Sequence, residues 1–324
     1  MALFKEEEAV GKDHSTIPGT PKPAELNKKI LIIDADTIVY SVASVYEFPE
    51  EILPGWHYAP GEHDKLTGHD NYDAETNSIW RIELDKAFEA VKGKVANLVY
   101  LTGCASVELH FTSGKNFRYD VDPGYKSNRK STRYPVGLRD LKKMAVDEYD
   151  VAMIHSEIEA DDYVVWRKKQ LGTEAVLCAV DKDVLRGCAG LHLNYYESSK
   201  YNIPMKWVSF TDADAFKFPF QQCLEGDTAD GIEGVKGIGP KKAIKLLDGL
   251  TTKDALWEVV VGEFSRTGKS RAEAVVTMQL VNMNQLNDMG ELTLWQPPEE
   301  DVLIDGPGVM ETYPEGDPRI PNEN

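Results

Sequence analysis

The sequence predicts an α/β protein: a mainly parallel central sheet with flanking helices, followed by a smaller helical region. Short apolar runs, KILIID at 29–34, VELHFT at 107–112, VAMIH at 151–155 and AVLCAVD at 175–181, are interleaved with segments of helical periodicity. Strands alternating with helices are the pattern of a parallel sheet. From Glu225 onward the pattern turns helical.

Residues 1–28 are polar and rich in Pro, Gly and charge, and read as an N-terminal arm. KILIID ends its apolar run on an acid, as a buried strand does. Residues 73–97 suit one helix, with Ile79, Ile82, Phe88, Val91 and Val95 able to share a face. VELHFT is the second strand. After it, 113–137 is basic and turn-rich with little helical periodicity, and 138–147 can be helical. VAMIH and AVLCAVD are strands separated by an amphipathic helix at about 158–171, and LHLNYY at 191–196 is a weaker strand. GVKGIGPKKAIKLL (234–247) reads as a glycine-rich turn feeding a helix, with further helices near 253–263 and 271–288. The expected organisation is therefore an arm at 1–28, an α/β domain at 29–225, a helical region at 226–295 and a Pro-rich acidic tail at 296–324.

With 324 residues, 42% hydrophobic and 28% charged, the chain can bury a large core. No apolar run approaches the roughly 18 residues that suggest a membrane helix, and MALFKEEEAV is too acidic for a signal peptide. Cys104, Cys178, Cys188 and Cys223 show no C-x-x-C spacing and read as buried thiols of a reduced, intracellular protein. A net charge of −18 argues at first against a nucleic-acid partner, but the distribution answers it. Residues 296–324 hold eight acids against Arg319 alone, whereas 115–143 hold nine Lys/Arg against Asp120, Asp122 and Asp140. Residues 235–247 hold four lysines and no acid.

The acids sit at strand ends. Asp34 and Asp36 close the first strand, and Asp181 and Asp183 follow AVLCAVD's apolar run. Glu159, Asp161 and Asp162 open a helix after VAMIH, and Asp227 and Asp230 stand in GDTAD. A lone D-x-D is more often a turn and cap, and first-turn acids are favoured by the helix dipole anyway. Four segments aiming carboxylates at the carboxyl edge of one sheet, where open α/β folds bind ligands, is a different matter. Crowded carboxylates raise one another's pKa, and divalent cations relieve that cost. All-oxygen ligation suits Mg²⁺ or Mn²⁺, and two such ions about 4 Å apart can drive phosphodiester hydrolysis.

Two basic segments point to the substrate. DPGYKSNRKSTRYP (122–135) sets Lys126, Arg129, Lys130 and Arg133 around Tyr125, cations for phosphates and an aromatic for a base. In 234–247, Gly234, Gly237 and Gly239 allow close backbone approach. Pro240 suits a helix's first turn, and Lys241, Lys242 and Lys245 add charge where a phosphate would lie.

In order and spacing, LIIDAD, VDPGYKSNRK, EADD, DKD and GDTADGIEGVKGIGPKKA resemble the flap endonuclease superfamily, within it most nearly the 5′-to-3′ exonucleases of short-tailed bacteriophages. The resemblance covers about 29–250. It implies a PIN-like catalytic domain, a helical arch or clamp at about 113–137, and a helix–three-turn–helix gripping duplex DNA, often with K⁺. It implies Mg²⁺-dependent release of 5′-phosphate products from DNA with 5′ ends, gaps or flaps, often including RNA primers in RNA/DNA hybrids. Replication proteins as partners and a host-cell cytoplasmic location go with it. By motif, Asp34, Glu159, Asp161, Asp162, Asp181, Asp183, Asp227 and Asp230 would build the metal site, with Asp36 secondary. Tyr125, Lys126 and Arg129 would stand at the base of the arch, Lys126 and Arg129 joining Asp34 and Asp181 in catalysis. Ser113 stands where the family usually has another Asp. Two other readings fit parts of the pattern: a haloacid dehalogenase-type phosphatase with Asp34 as nucleophile, and a catalytically silent DNA-binding replication accessory protein.

Overall fold

The computed structural model describes residues 26–129 and 133–298. Most of the expected arm (1–25), most of the tail (299–324) and Lys130 lie outside the described residues. Leu26, at the end of that arm, is buried in the main core.

The central sheet has six strands: β1 (Ile30–Asp34), β5 (Ser106–Thr112), β6 (Ala152–His155), β7 (Ala175–Ala179), β8 (Gly190–Asn194) and β9 (Lys206–Phe210). Their order is β6-β5-β1-β7-β8-β9, parallel throughout except for the antiparallel β8–β9 pair at the edge. Both faces are covered, which is why β1 and β7 are nearly all apolar. Leu31 and Ile33 of β1, with Val176 and Cys178 of β7, join one core; Ile32, Leu177 and Ala179 point to the other. That split is the two-residue side-chain period of a strand. The first face is covered by α1 (Asp36–Tyr46), α3 (Leu84–Thr102) and α5 (Leu138–Glu148). The second is covered by α6 (Ala160–Leu171) and the short α7 (Lys182–Arg186), through Val164, Val165, Val184 and Leu185. All four cysteines are free and buried.

The single helix expected at 73–97 is corrected. Its first part belongs to a small antiparallel sheet of β2 (Glu47–Glu51), β3 (Tyr72–Asp73) and β4 (Ser78–Ile82), ordered β2-β4-β3; the helix begins only at Leu84. Ile79 and Ile82, three residues apart, fit a helical stripe and would point to opposite faces of a strand, and it is pairing of 47–51 with 78–82 that decides the choice. The short α2 (Glu62–Thr67) lies in the same excursion. Helix α1, strand β9 and the following α8 (Asp212–Glu225) were not foreseen.

Among the described residues of 113–137, only α4 (Arg118–Val121) and a single turn at Ser127–Arg129 are helical. Beyond α8 come a two-strand hairpin, β10 (Gly226–Asp227) and β11 (Ile232–Glu233), then α9 (Pro240–Leu246), α10 (Lys253–Arg266) and α11 (Arg271–Val281). The last helix ends seven residues earlier than its periodicity suggested. Asn282 there accepts the Asn284 N–H on its side chain, a local bond that competes with helix. Phe220, Cys223 and Leu224 of α8 pack with Trp257, Phe264 and Met278 in a second core, so by packing α8 belongs with the helical region. Among the described residues no helix is long and apolar enough to cross a membrane.

Candidate active site

The strand order places the acids. Asp34 ends β1, Asp181 caps α7 just past β7, and β1 and β7 are hydrogen-bonded neighbours. Glu159 caps α6, which returns from β6, so Asp161 arrives in its first turn. Asp161 and Asp34 are near enough for each to perturb the other's ionisation. Burial and the neighbouring Asp36 and Asp181 raise the Asp34 pKa to about 7. Asp161 is driven upward too, by burial and then by Asp34, Glu159 and Asp181. On the far side of Asp181, burial and the charges of Asp181 and Asp227 raise Asp183 to about 7. Asp227 and Asp230 reach the site from the β10–β11 hairpin. The expected acids therefore share one carboxyl edge.

They are not all free there. Asp162 is fully buried, and Arg118 donates to both its oxygens at 2.7 Å. It also accepts the Glu159 backbone N–H, completing the capping box of α6. With both oxygens engaged by Arg118, Asp162 serves here as that cation's buried counter-ion. Glu159 takes Arg118 Nη1 at 3.1 Å and Lys126 Nζ at 2.5 Å; burial would raise its pKa, but these two cations hold it low. Arg129 pairs with Asp230, and Lys142 lies 2.6 Å from Asp36, which also accepts the Thr112 N–H. Among the described residues, no three His, Cys, Asp or Glu side chains are arranged about a common ion position.

The basic loop docks on the hairpin that carries the last two acids. Lys126 N–H donates to the Asp230 carbonyl at 2.9 Å, and the Asn128 amide donates to the Thr228 and Ala229 carbonyls. Lys126 holds a left-handed backbone (φ 54°), a strained conformation of the kind found at functional sites. Tyr125 is corrected as a base-stacking residue: it is 3% exposed and packs in the second core. Its hydroxyl stands 3.0 Å from Glu159 and 2.9 Å from Asp230. Arg133 pairs with Glu47 and lies over the Trp80 ring, which ties it to the small sheet and not to an open groove. Gly234 is corrected likewise. A Cβ there would lie 2.2 Å from the Glu225 carbonyl carbon, so the close approach is to its own chain. Around Gly237 and Gly239 there is open space, and Lys241, Lys242 and Lys245 are exposed. Arg118 and Lys142 were missed as site cations; lying in the basic stretch was the only signal the sequence offered.

The donor chemistry fits a hard divalent ion. Carboxyls that hold protons to about pH 7 because they are buried together would release them to a doubly charged cation.

No family model matches the chain. It is similar to an exonuclease of Escherichia phage T7, 24% identical over 314 residues, covering 84% of this chain and 94% of the relative. A DNA polymerase I of Rhizobium leguminosarum is 29% identical over 157 residues, 45% of this chain but 15% of that protein. Among solved structures, T5 5′-exonuclease with divalent zinc ions bound aligns with a TM-score of 0.52 at 14% identity, covering 79% of this chain and 90% of that one. That likeness is one of fold.

Proposed function

We propose that this chain is a member of the flap endonuclease and 5′-to-3′ exonuclease superfamily and hydrolyses DNA from 5′ ends to 5′-phosphate products. The observation that carries the reading is the meeting of Asp34, Asp161, Asp181, Asp183 and Asp227 at one sheet edge, where burial and like charge raise Asp34 and Asp183 to about 7. Asp34, Asp161 and Asp181 would hold one divalent ion, with Asp181, Asp183 and Asp227 holding a second. Mg²⁺ in that pair, or Mn²⁺, would supply Lewis-acid polarisation of the scissile phosphate and stabilise the leaving oxygen.

The chain's own groups supply positioning. Lys126 and Arg129 lie over Glu159 and Asp230, and on substrate entry they can exchange those carboxylates for a phosphate. Tyr125 ties Glu159 to Asp230 from beneath and Arg118 anchors Glu159 to α6, so the acids stay put while the cations move. We place the arch over 113–137. The turn at 234–239 and exposed Lys241, Lys242 and Lys245 would be the duplex grip, with K⁺ at that turn. Nicked, gapped and flapped duplexes, and RNA primers on DNA, are the substrates this arrangement suits, within a replication setting.

Digestion of duplexes labelled at the 5′ or 3′ end, with Mg²⁺ or EDTA, tests the reading. Mg²⁺-dependent release of 5′ label is expected, with turnover lost in Asp181→Asn while DNA binding persists. Release from the 3′ end, or full activity in the variant, overturns it. Binding without turnover is the second reading. It draws on Ser113 and on the lack, among the described residues, of three acids about one ion position; uncut DNA with Mg²⁺ present would favour it.

A further inference from the structure

The carboxylates occupy the carboxyl ends of the parallel strands. At the opposite edge, about five residues or ~17 Å away along β1 and β7, lies a cavity of about 910 Å³. Its walls come from strand beginnings, Lys29 before β1, Ala175 of β7 and Gly190 of β8, closed by α8 and the segment around Trp295.

Four ammonium groups line it, Lys29, Lys168, Lys169 and Lys253, against the single carboxyl of Asp212. None of the four pairs with a carboxylate among the described residues. Lys29 donates to the Thr173 carbonyl, Lys168 to the Gly172 carbonyl, Lys169 to the Asn284 amide oxygen and Lys253 to the Gln296 carbonyl. Lys168 is 2% exposed. A lysine that buried without a counter-ion is uncommon, because desolvating an ammonium group costs several kcal/mol. Burial accordingly lowers the pKa of both Lys168 and Lys169. Gly190 makes room for the Lys168 head: a Cβ there would lie 2.9 Å from Nζ. The other wall is aromatic. Phe216 is exposed at 42%, its ring 6.2 Å from Phe220, and Phe220 meets Trp295 edge-on at 6.4 Å.

We propose that this cavity is a nucleotide-binding site, its phosphate held by Lys168, Lys169 and Lys253 and its base against the Phe216–Trp295 wall. The size lies within the range of small-ligand sites. A phosphate supplies the missing negative charge, and a flat base uses aromatic surface that an inorganic anion would leave wet. A nucleotide presents both chemistries within the span of one such cavity. The site does not depend on what the carboxyl edge does.

Calorimetric titration of the full chain with 5′-dAMP, in EDTA, tests this, with adenosine and inorganic phosphate as separate titrants. Binding of dAMP at least about tenfold tighter than of either part is expected. Lys169→Gln combined with Lys253→Gln should weaken it about tenfold or more, as should Phe216→Ser. Thr173→Trp, which fills the cavity from an exposed position without removing charge, should abolish it and keeps the test available if the lysine variant does not fold. Asp181→Asn should bind dAMP as the unaltered chain does. No heat at millimolar dAMP overturns the proposal. So does phosphate binding as tightly as dAMP, or dAMP binding that survives in the cavity variants and is lost in Asp181→Asn.

Discussion

A carboxyl buried beside other carboxyls keeps its proton, and Asp34 keeps it to about pH 7 against an ordinary value of 3.8. The unfolded chain releases that proton near the ordinary value. Between there and pH 7 the folded state binds more protons, so stability falls as pH rises through this window. Asp183, also raised to about 7, acts in the same direction. Thermal melts in EDTA should therefore show Asp34→Asn gaining on the unaltered chain from pH 5 to 7.5; parallel pH profiles for the two would show that Asp34 is not the group involved. Arg118 is the opposite case, a buried cation shared by Asp162, Glu159 and the Leu280 carbonyl. Removing it leaves buried charge unpaired, and Arg118→Met should cost about 3–5 kcal/mol in urea unfolding. A loss no larger than that of an exposed ion pair would mean that Asp162 finds another partner or a proton. The acids were legible one by one in the sequence. Their partners were not, because Arg118 and Asp162 are 44 residues apart and nothing local links them.

At the scale of elements, the hairpin of β10 and β11 and the turn before α9 separate two uses of glycine. Gly226 and Gly234 press backbone on backbone, so Gly234→Ala should destabilise the protein by about 1–3 kcal/mol or more through overpacking. Gly239 faces open space at an extended φ of −112°, and Gly239→Ala should cost only the lost N-cap preference, about 0.5–1 kcal/mol. Equal losses in the two variants would contradict this division. For α9 the expected role is electrostatic. Replacing Lys241, Lys242 and Lys245 with Gln should weaken duplex binding in EDTA and flatten its salt dependence by up to about 0.9 log units per lost phosphate contact. An unchanged slope would remove this helix from the interface. The glycine-rich turn was visible in the sequence, but which of its glycines serves the fold and which faces outward depends on where Glu225 passes. The helix misread over 73–82 has the same origin: the three-residue spacing of Ile79 and Ile82 reads as helical, and only the pairing with Glu47–Glu51 makes the segment a strand.

For the whole molecule, the six-stranded order sets two opposite edges, one crowded with carboxyls and one lined with lysines. A divalent ion bound only by the folded state stabilises it by about 2.7 kcal/mol at a hundredfold excess over its Kd. Mg²⁺ should thus raise the melting temperature, and the rise should shrink in Asp181→Asn and Asp227→Asn. A full Mg²⁺ shift in both would place the ion elsewhere. Lys126, Arg129 and Lys142 pair with Glu159, Asp230 and Asp36, which leaves the five aspartates proposed to hold the ions outside these contacts.

The sequence by itself determined the alternation of strands and helices, the strands that carry the acids and the turn that carries the lysines, since these follow from periodicities of two and about four residues and from turn chemistry. Only the tertiary structure decided which acids stay available. Arg129 meets Asp230 across 101 residues and Lys126 meets Glu159 across 33. Such pairings depend on strand order and on side-chain distances of a few Å, and a one-dimensional pattern encodes neither.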